Sequence, residues 1–341
     1  MKYLITGGAG FIGCNAANYL LEQGNQVVIL DNLSRAGSEK NLSWLKARHG
    51  RLLHAKVDVR DFDSLKNFFY QNRDLDVILH LAAQVAVTTS VVNPREDFEI
   101  NALGTFNVLE AIRALNLNPI VIYSSTNKVY GEMQGLKTVK DKGRYIYADL
   151  PKGVSEAMPL DFHSPYGCSK GTADQYVRDY HRIYGIRSVV LRQSCIYGPR
   201  QFGVEDQGWV AWFIIAAILG RPITIYGDGC QVRDVLYVND LVRAYEQVAK
   251  NIDIAQGQVY NIGGGCTNTL AIWSEFRPML NRLLKRDIPV SYADWRPGDQ
   301  PIFISDITKA QQELGWSPKT SVEEGIEKLF RWVDENRNLF E

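Results

Sequence analysis

The chain has no excess of charge of either sign, because its 38 Lys and Arg residues balance its 38 Asp and Glu residues. No basic block stands out, which argues against nucleic-acid or anionic-membrane partners. The longest nearly unbroken apolar run, residues 209–219, is too short to span a bilayer. The N-terminal segment is typical of a strand entering a glycine-rich turn, not of a signal peptide. We therefore expect a cytoplasmic protein.

Paired cysteines and metal-ligand spacings are also missing. The five histidines show no HExxH or HxH spacing, and the five cysteines form no CxxC pair. This pattern predicts neither a disulfide framework nor a metal site. Apolar residues make up 45% and charged residues 22% of the 341 residues, which is typical of a globular chain of about two domains.

Short β-branched segments alternate with amphipathic helical patterns in the first half of the chain. Six segments are predicted as strands: Tyr3–Thr6, Val27–Asp31, Leu52–Val57, Val77–Leu81, Ile120–Ser124 and Ser188–Leu191. Apolar residues recur at helical spacing over 102–115 and 176–183. This alternation predicts right-handed βαβ units and an α/β fold with a doubly wound parallel sheet, that is, a Rossmann domain.

The pattern changes after Arg192, where Gly, Pro and aromatic residues become frequent. One strand and two helices are predicted there, at Ile223–Tyr226, at Asp240–Lys250 and from Val322 to about Val333. We expect the Rossmann domain to cover 1–192 with 231–261 returning to it, and a smaller α/β C-terminal lobe to comprise 193–230 and 262–341.

A glycine-rich turn follows the first predicted strand and opens a helix. Gly7, Gly10 and Gly13 permit a tight turn and a close backbone approach, and the helix N-terminus offers N–H groups to a pyrophosphate. Asp31, at the end of the second strand, can accept hydrogen bonds from ribose hydroxyls and repels a 2′-phosphate. Asp58 follows the third strand and is a candidate for the adenine edge. The pattern therefore predicts NAD rather than NADP.

A second group of residues indicates chemistry. Tyr166 and Lys170 stand one helical turn apart, so that the ammonium group can stabilise the phenolate. The segment 124–131 is a hydroxyl-rich end of the fifth strand, where Thr126 can meet Tyr166 at one substrate hydroxyl. Arg35 leaves one alternative open for the cofactor, because it stands close enough to Asp31 to meet a phosphate.

Together these segments resemble the extended short-chain dehydrogenases/reductases, the family of NAD-dependent nucleotide-sugar epimerases and dehydratases. The resemblance covers the whole chain. It rests on TGGAGFIG (6–13), DNLSR (31–35), LAAQ (81–84), SSTNKVYG (124–131), SPYGCSK (164–170), YGPRQ (197–201), VRDVLYVND (232–240), RPGD (296–299) and LGWSP (314–318).

The resemblance implies a catalytic triad and two sets of binding residues. In the triad, Thr126 holds the sugar hydroxyl, Tyr166 moves its proton, and Lys170 binds the nicotinamide ribose. The implied cofactor contacts are Gly7, Gly10, Phe11, Ile12, Gly13, Asp31, Asn32, Ser34, Arg35, Asp58, Val59, Leu81, Ala82, Ala83, Tyr166 and Lys170. The candidate substrate contacts are Asn127, Lys128, His163, Gln201, Gln207, Trp209, Arg233 and Arg296, of which the two arginines would grip the diphosphate. His163 is equally a candidate to cap the helix that follows it.

The chain departs from the family pattern at two places, one that concerns the reaction and one that concerns substrate binding. A 4,6-dehydratase of this family has Asp and Glu after the catalytic Thr, whereas this chain has Asn127 and Lys128, which cannot perform that acid–base work. Reversible hydride transfer is therefore the better interpretation. Cys195 stands where the family often has an Asn that touches the diphosphate.

The segments 124–131, 160–171, 200–202 and 206–209 resemble the 2-epimerases of CDP-linked 3,6-dideoxyhexoses (CDP-paratose and CDP-tyvelose). That resemblance implies a CDP-linked deoxyhexose as substrate, tightly held NAD, and a homodimer or homotetramer. The alternatives are a UDP-hexose 4-epimerase, a reductase that uses free NADPH, and an NAD-binding sensor without chemistry.

Overall fold

The computed structural model describes residues 1–296 and 299–340. Its strands are β1 Lys2–Thr6, β2 Gln26–Leu30, β3 Leu53–Ala55, β4 Val77–His80, β5 Ile120–Thr126, β6 Thr138–Asp141, β7 Arg144–Tyr147, β8 Ser188–Gln193, β9 Cys195–Tyr197, β10 Thr224–Tyr226, β11 Val232–Tyr237, β12 Val259–Ile262, β13 Thr269–Ala271, β14 Ser291–Ala293 and β15 Ile302–Phe303.

Its α-helices are α1 Phe11–Glu22, α2 Ser38–His49, α3 Phe62–Gln71, α4 Val87–Val92, α5 Pro94–Phe98, α6 Gly104–Ala114, α7 Ser164–Tyr184, α8 Trp209–Leu219, α9 Val238–Lys250, α10 Ile252–Ala255, α11 Phe276–Leu284, α12 Thr308–Leu314 and α13 Val322–Glu335. A π-helical turn, Glu99–Leu103, joins α5 to α6, and 3₁₀ turns lie at Asn127–Tyr130 and Arg337–Leu339. None of the helices within the described ranges is long and apolar enough to cross a membrane.

The large sheet has seven parallel strands in the order β3-β2-β1-β4-β5-β8-β12. Its central strands are apolar and almost fully buried because helices cover both faces. The strand order reverses between β1 and β4, and at such a point a crevice opens beside the carboxyl ends of the strands. The predicted α/β doubly wound fold is confirmed.

Strand boundaries differ from the predictions where pairing, not composition, decides them. The edge strand β3 keeps only Leu53–Ala55 of the predicted Leu52–Val57, since it pairs with β2 alone. By contrast, β5 extends to Thr126 because its last residues pair with β8. The seventh strand, β12, was not predicted.

The second half surrounds its own apolar cluster, which is centred on α8. This helix is the apolar run that the sequence singled out without predicting a helix, and its composition is apolar all round because most of its residues are buried. A small sheet forms around β11, which pairs with β9, β13 and β15. The segment 231–261 thus contributes β11 to the small sheet and β12 to the large one.

Candidate active site

The glycine turn packs so closely that side chains would not fit. A Cβ at Gly13 would lie 2.3 Å from the Gly7 carbonyl oxygen, and one at Gly7, where φ is +65°, would lie 2.8 Å from the Ala82 nitrogen. Gly10 precedes α1 without any side-chain cap, so the first N–H groups of the helix stay available to a ligand. The turn is therefore shaped to admit a pyrophosphate against the backbone, as NAD requires.

Asp31 is oriented by the backbone around it. It is buried, and its carboxylate accepts hydrogen bonds from the N–H groups of Ala9 (2.9 Å) and Leu33 (2.8 Å). Asp58, at the next strand end, is held by Arg60 and Asn32, and these hydrogen bonds lower its pKa to about 2. Both carboxylates are placed to accept hydrogen bonds from ribose or adenine donors.

The triad forms where β5 meets α7. Thr126 ends β5, and Tyr166 and Lys170 lie in the first two turns of α7. The Lys170 ammonium donates to the Ser124 carbonyl oxygen (2.5 Å) and lies 4.3 Å from the centre of the Tyr123 ring. The Thr126 hydroxyl donates to the Asn127 side-chain oxygen (3.3 Å) and lies near Tyr166. All three side chains face one cavity.

The pKa values of the triad differ from the expectation that the Lys170 ammonium stabilises the Tyr166 phenolate. Burial raises the pKa of Tyr166 to about 12, although the neighbouring Thr126 and Arg35 oppose this shift. Burial also lowers the pKa of Lys170 to about 7, against the attraction of Asp174 and Asp97. Without a further positive charge in the cavity, the phenol stays protonated near neutral pH.

A buried polar network supports the triad, and the sequence analysis missed it. The Ser169 hydroxyl donates to Asp97 (2.5 Å), and Asn101 on the π-helical turn donates to both of them (3.1 Å each). Asp174 accepts from Ser125 (2.8 Å) and from the Arg192 guanidinium (2.9 and 3.1 Å). These residues lie inside helices and strands whose patterns indicate only core, so no local signal marks them.

The main cavity has a volume of about 300 Å³ and lies at the carboxyl ends of the parallel strands. It is lined by every residue for which a cofactor or catalytic contact was expected and by two of the candidate substrate residues, Gln201 and Gln207. The other six, Asn127, Lys128, His163, Trp209, Arg233 and Arg296, do not line it.

Three of these six residues are basic, and we call Lys128, Arg233 and Arg296 together the cationic region. Arg233 is buried and donates to Asp299 (2.6 Å). Burial lowers the pKa of Lys128, and the neighbouring Arg233 lowers it further. Arg296 pairs with Asp206 (3.0 Å) and stacks 3.9 Å from the Tyr226 ring centre.

Two neutral or weakly basic groups were also singled out. His163 precedes α7 but makes no capping hydrogen bond, so the capping interpretation is wrong; its ring contacts Asp161 instead (2.8 Å). The Trp209 indole nitrogen is buried and has no hydrogen-bond partner within the described residues.

Arg35, for which a phosphate contact was left open, donates to the Gln207 side-chain oxygen at the cavity.

Comparisons with known proteins agree with this geometry. The family profile described as GDP-mannose 4,6 dehydratase matches residues 4–329. The chain is 44% identical to a CDP-paratose 2-epimerase of Salmonella typhi, over 98% of this chain and 99% of the relative. It is 34% identical to a putative UDP-glucose 4-epimerase of Methanocaldococcus jannaschii, over 98% of each chain.

Solved structures lead to the same group. A dTDP-glucose 4,6-dehydratase of Streptomyces venezuelae with NAD bound superposes with a TM-score of 0.85 at 30% identity, over 100% of this chain and 99% of the other. A UDP-glucose 4-epimerase of Thermus thermophilus in complex with NAD gives a TM-score of 0.81 at 31% identity, over 97% and 98% of the two chains.

The fold and the triad define an extended short-chain dehydrogenase/reductase. Within that class, the chain belongs to the GDP-mannose 4,6 dehydratase family. It is an NAD-dependent enzyme of the epimerase and dehydratase group, and the predicted family, cofactor and epimerase class are confirmed.

Proposed function

We propose that this enzyme inverts C2 of a CDP-linked 3,6-dideoxyhexose and so interconverts CDP-paratose and CDP-tyvelose. One observation carries the choice of epimerisation over dehydration. Thr126 and Tyr166 line one cavity, while the two positions after Thr126 hold Asn127 and Lys128. Neither side chain can replace the carboxylic acid and carboxylate that eliminate water. The 44% identical Salmonella typhi relative supports the CDP-linked substrate.

The chain's own residues divide the proton chemistry between them. NAD, when bound, supplies a positively charged ring that accepts a hydride from C2 and returns it. Thr126 holds the C2 hydroxyl, and Tyr166 takes its proton as the carbonyl forms and gives it back when the carbonyl is reduced. A positive charge close to Tyr166 is needed, because burial alone raises its pKa to about 12. Lys170 and Arg35 are cations that the chain itself contributes at this cavity.

The cationic region is suited to the other end of the substrate. Arg233 and Arg296 present guanidinium groups, which bind phosphate oxygens in bidentate fashion. Each arginine is now paired with a carboxylate, Asp299 or Asp206, that a diphosphate can displace. The keto-sugar must turn over between the two hydride transfers, while the nucleotide stays bound as an anchor.

The test is NMR of CDP-paratose labelled with deuterium at C2, incubated in ordinary water with the enzyme as isolated and no added reductant. We expect CDP-tyvelose in which the deuterium remains at C2, because a hydride transferred within one turnover does not exchange with water. Washout of the label would indicate enolisation instead and would contradict the proposal.

A UDP-hexose 4-epimerase is the second candidate, favoured by the UDP-glucose 4-epimerases among the relatives and solved structures. A panel of CDP- and UDP-sugars separates the two. Turnover of UDP-glucose together with inertness toward CDP-paratose would support the alternative. No turnover of any nucleotide sugar would favour a sensor that binds NAD without chemistry.

We also propose a homo-oligomer built through the helices on one side of the large sheet. The exposed apolar residues there lie on α4, α5, the π-helical turn and α7, and they are Val91, Val92, Phe98, Leu103, Tyr176, Ile183 and Tyr184. These elements pack against one another, and exposed apolar residues gathered on neighbouring helices are typical of a subunit interface. Light scattering of the purified protein should give a dimer or tetramer, and a monomer would overturn this proposal. A cytoplasmic location remains part of the proposal.

A further inference from the structure

The segment 199–208, which we call the cover segment, contributes Arg200, Gln201, Phe202 and Gln207 to the lining of the main cavity. It contacts α1, α2 and the loop that follows Asp31. The Pro199 carbonyl accepts from Asn15 on α1 (2.9 Å), and the Arg200 guanidinium lies 4.2 Å from the Trp44 ring centre on α2. Phe202 packs against Gly37, where a Cβ would come within 2.3 Å of the ring. The cover segment is therefore docked onto the loop and helix that follow Asp31.

The end of the cover segment is a tight turn whose side chains reach three separate elements. Two backbone hydrogen bonds between Val204 and Gln207 close the turn (3.0 and 2.9 Å). Glu205 accepts from the Tyr226 hydroxyl on β10 (3.2 Å), and Asp206 pairs with Arg296. Gln207 accepts from Arg35, which stands in the loop between β2 and α2.

The bond between Arg35 and Gln207 is the one that matters for a bound molecule. Both residues line the main cavity, Arg35 from the loop that carries Asp31 and Gln207 from the cover segment. Their side chains are hydrogen-bonded to each other, so the bond joins the Asp31 loop to the cover segment at the lining of the cavity. The donor is a guanidinium, and hydrogen bonds with a charged partner are stronger than neutral ones.

We propose that the Arg35–Gln207 hydrogen bond is a latch that retains NAD in the cavity between turnovers. The need for such a latch rests on the proposed function. An epimerase returns the hydride to the sugar that gave it, so a cofactor that left midway would strand the keto-sugar. The latch also answers the question left open by the sequence, since Arg35 spans the cavity instead of being reserved for a 2′-phosphate.

The experiment measures how fast NAD leaves the purified holoenzyme, with no sugar present. The enzyme is loaded with radiolabelled NAD, chased with excess unlabelled NAD, and sampled by filtration. Arg35→Gln and Gln207→Leu should each raise the dissociation rate about tenfold, the effect of losing one charge-assisted hydrogen bond. NAD should dissociate from the double variant no faster than from the faster single variant, because both substitutions break the same hydrogen bond. Gln207→Glu, which offers Arg35 a carboxylate, should slow dissociation.

Arg48→Gln is the matched control, because Arg48 stands on α2 and pairs with Glu22 at the surface, away from the cavity. Its dissociation rate should equal that of the wild type. Unchanged rates in both single variants would overturn the latch. So would acceleration by Arg35→Gln alone, which would mean that Arg35 contacts NAD directly. Failure of the C2 labelling experiment leaves these rates unaffected, so the two proposals fail separately.

Discussion

The two sides of the active site are built in different ways. On the cofactor side, the orienting contacts lie within the first βαβ unit: the backbone N–H groups of Ala9 and Leu33 hold Asp31, and Gly7 leaves room for Gly13. On the substrate side, Lys128 and Arg233 come from separate elements, and the carboxylate that holds Arg233 is Asp299, 66 residues further along the chain. Local interactions prepare the first side, whereas the second exists only when the small sheet has assembled.

The two sides also differ in charge. Asp31 and Asp58 place two carboxylates on the cofactor side, which suit ribose hydroxyls and disfavour an additional phosphate. Lys128, Arg233 and Arg296 make the substrate side cationic, which suits a diphosphate. The triad lies between them. Substitutions on one side should therefore leave binding on the other side unchanged, and the following predictions test that separation.

The largest effect is expected at the triad. Tyr166→Phe removes the phenolic hydroxyl but keeps the ring, so kcat should fall at least about a hundredfold, the usual contribution of general acid–base catalysis. KM and NAD content should change little. Tyr176→Phe on the same helix is the control, because Tyr176 is exposed and outside the cavity. Near-normal turnover of the Tyr166 variant would mean that another group moves the proton.

The second-largest effect is expected on the cofactor side. Asp31→Ala removes the carboxylate acceptor for the ribose hydroxyls and should weaken NAD binding by about 1–3 kcal/mol, the range for hydrogen bonds to charged groups. Calorimetry on protein stripped of NAD measures this, with Asp63→Ala on the exposed side of α3 as the control. Binding of CDP should be unaltered. Equal affinity of the wild type for NAD and NADP would argue against the role of Asp31.

A smaller effect is expected on the substrate side. Arg296→Gln should raise the dissociation constant for CDP about tenfold, since one charge-assisted contact to the diphosphate is lost. Cytidine, which has no phosphate, should bind the variant and the wild type equally well. Arg277→Gln is the control, because Arg277 pairs with Asp287 at the surface. A matching loss of affinity for cytidine would place Arg296 at the base instead.

The smallest effect concerns stability against pH. Lys170 has a pKa of about 7 in the folded, cofactor-free protein and an ordinary value of 10.5 when unfolded. Between these values the unfolded chain binds more protons, so stability rises with pH. Below pH 7 the folded protein holds Lys170 charged, and burial of this ammonium group then lowers the free energy of unfolding the most.

Lys170→Met removes that cost, so it should stabilise the cofactor-free protein at pH 6 by more than at pH 9, with a difference on the order of 1 kcal/mol. Urea unfolding at the two pH values measures this difference. Lys328→Met, at an exposed residue, is the control and should show no such trend. A constant effect of Lys170→Met at both pH values would show that Lys170 stays charged throughout.

The predictions from sequence succeeded where the signal is local. The glycine turn, the six strands and the spacing of Tyr166 and Lys170 depend on residues within one turn or one strand of each other. The missed elements are those with long-range causes. The strand β12 exists because β8 offers it an edge, and α8 lacks an amphipathic pattern because most of it is buried. Asn101 and Asp97 were missed because helical patterns do not distinguish a buried polar network from an ordinary core.

By itself, the sequence determined the Rossmann architecture and the glycine turn, since hydrophobic periodicity and backbone freedom act over a few residues, and it predicted the triad through the spacing of Tyr166 and Lys170. Only the tertiary structure decided that Arg35 meets Gln207 across the cavity and that Arg233 pairs with Asp299. The physical reason is that these side chains are separated by 172 and 66 residues, and no local preference determines which distant groups the packing of two lobes brings together.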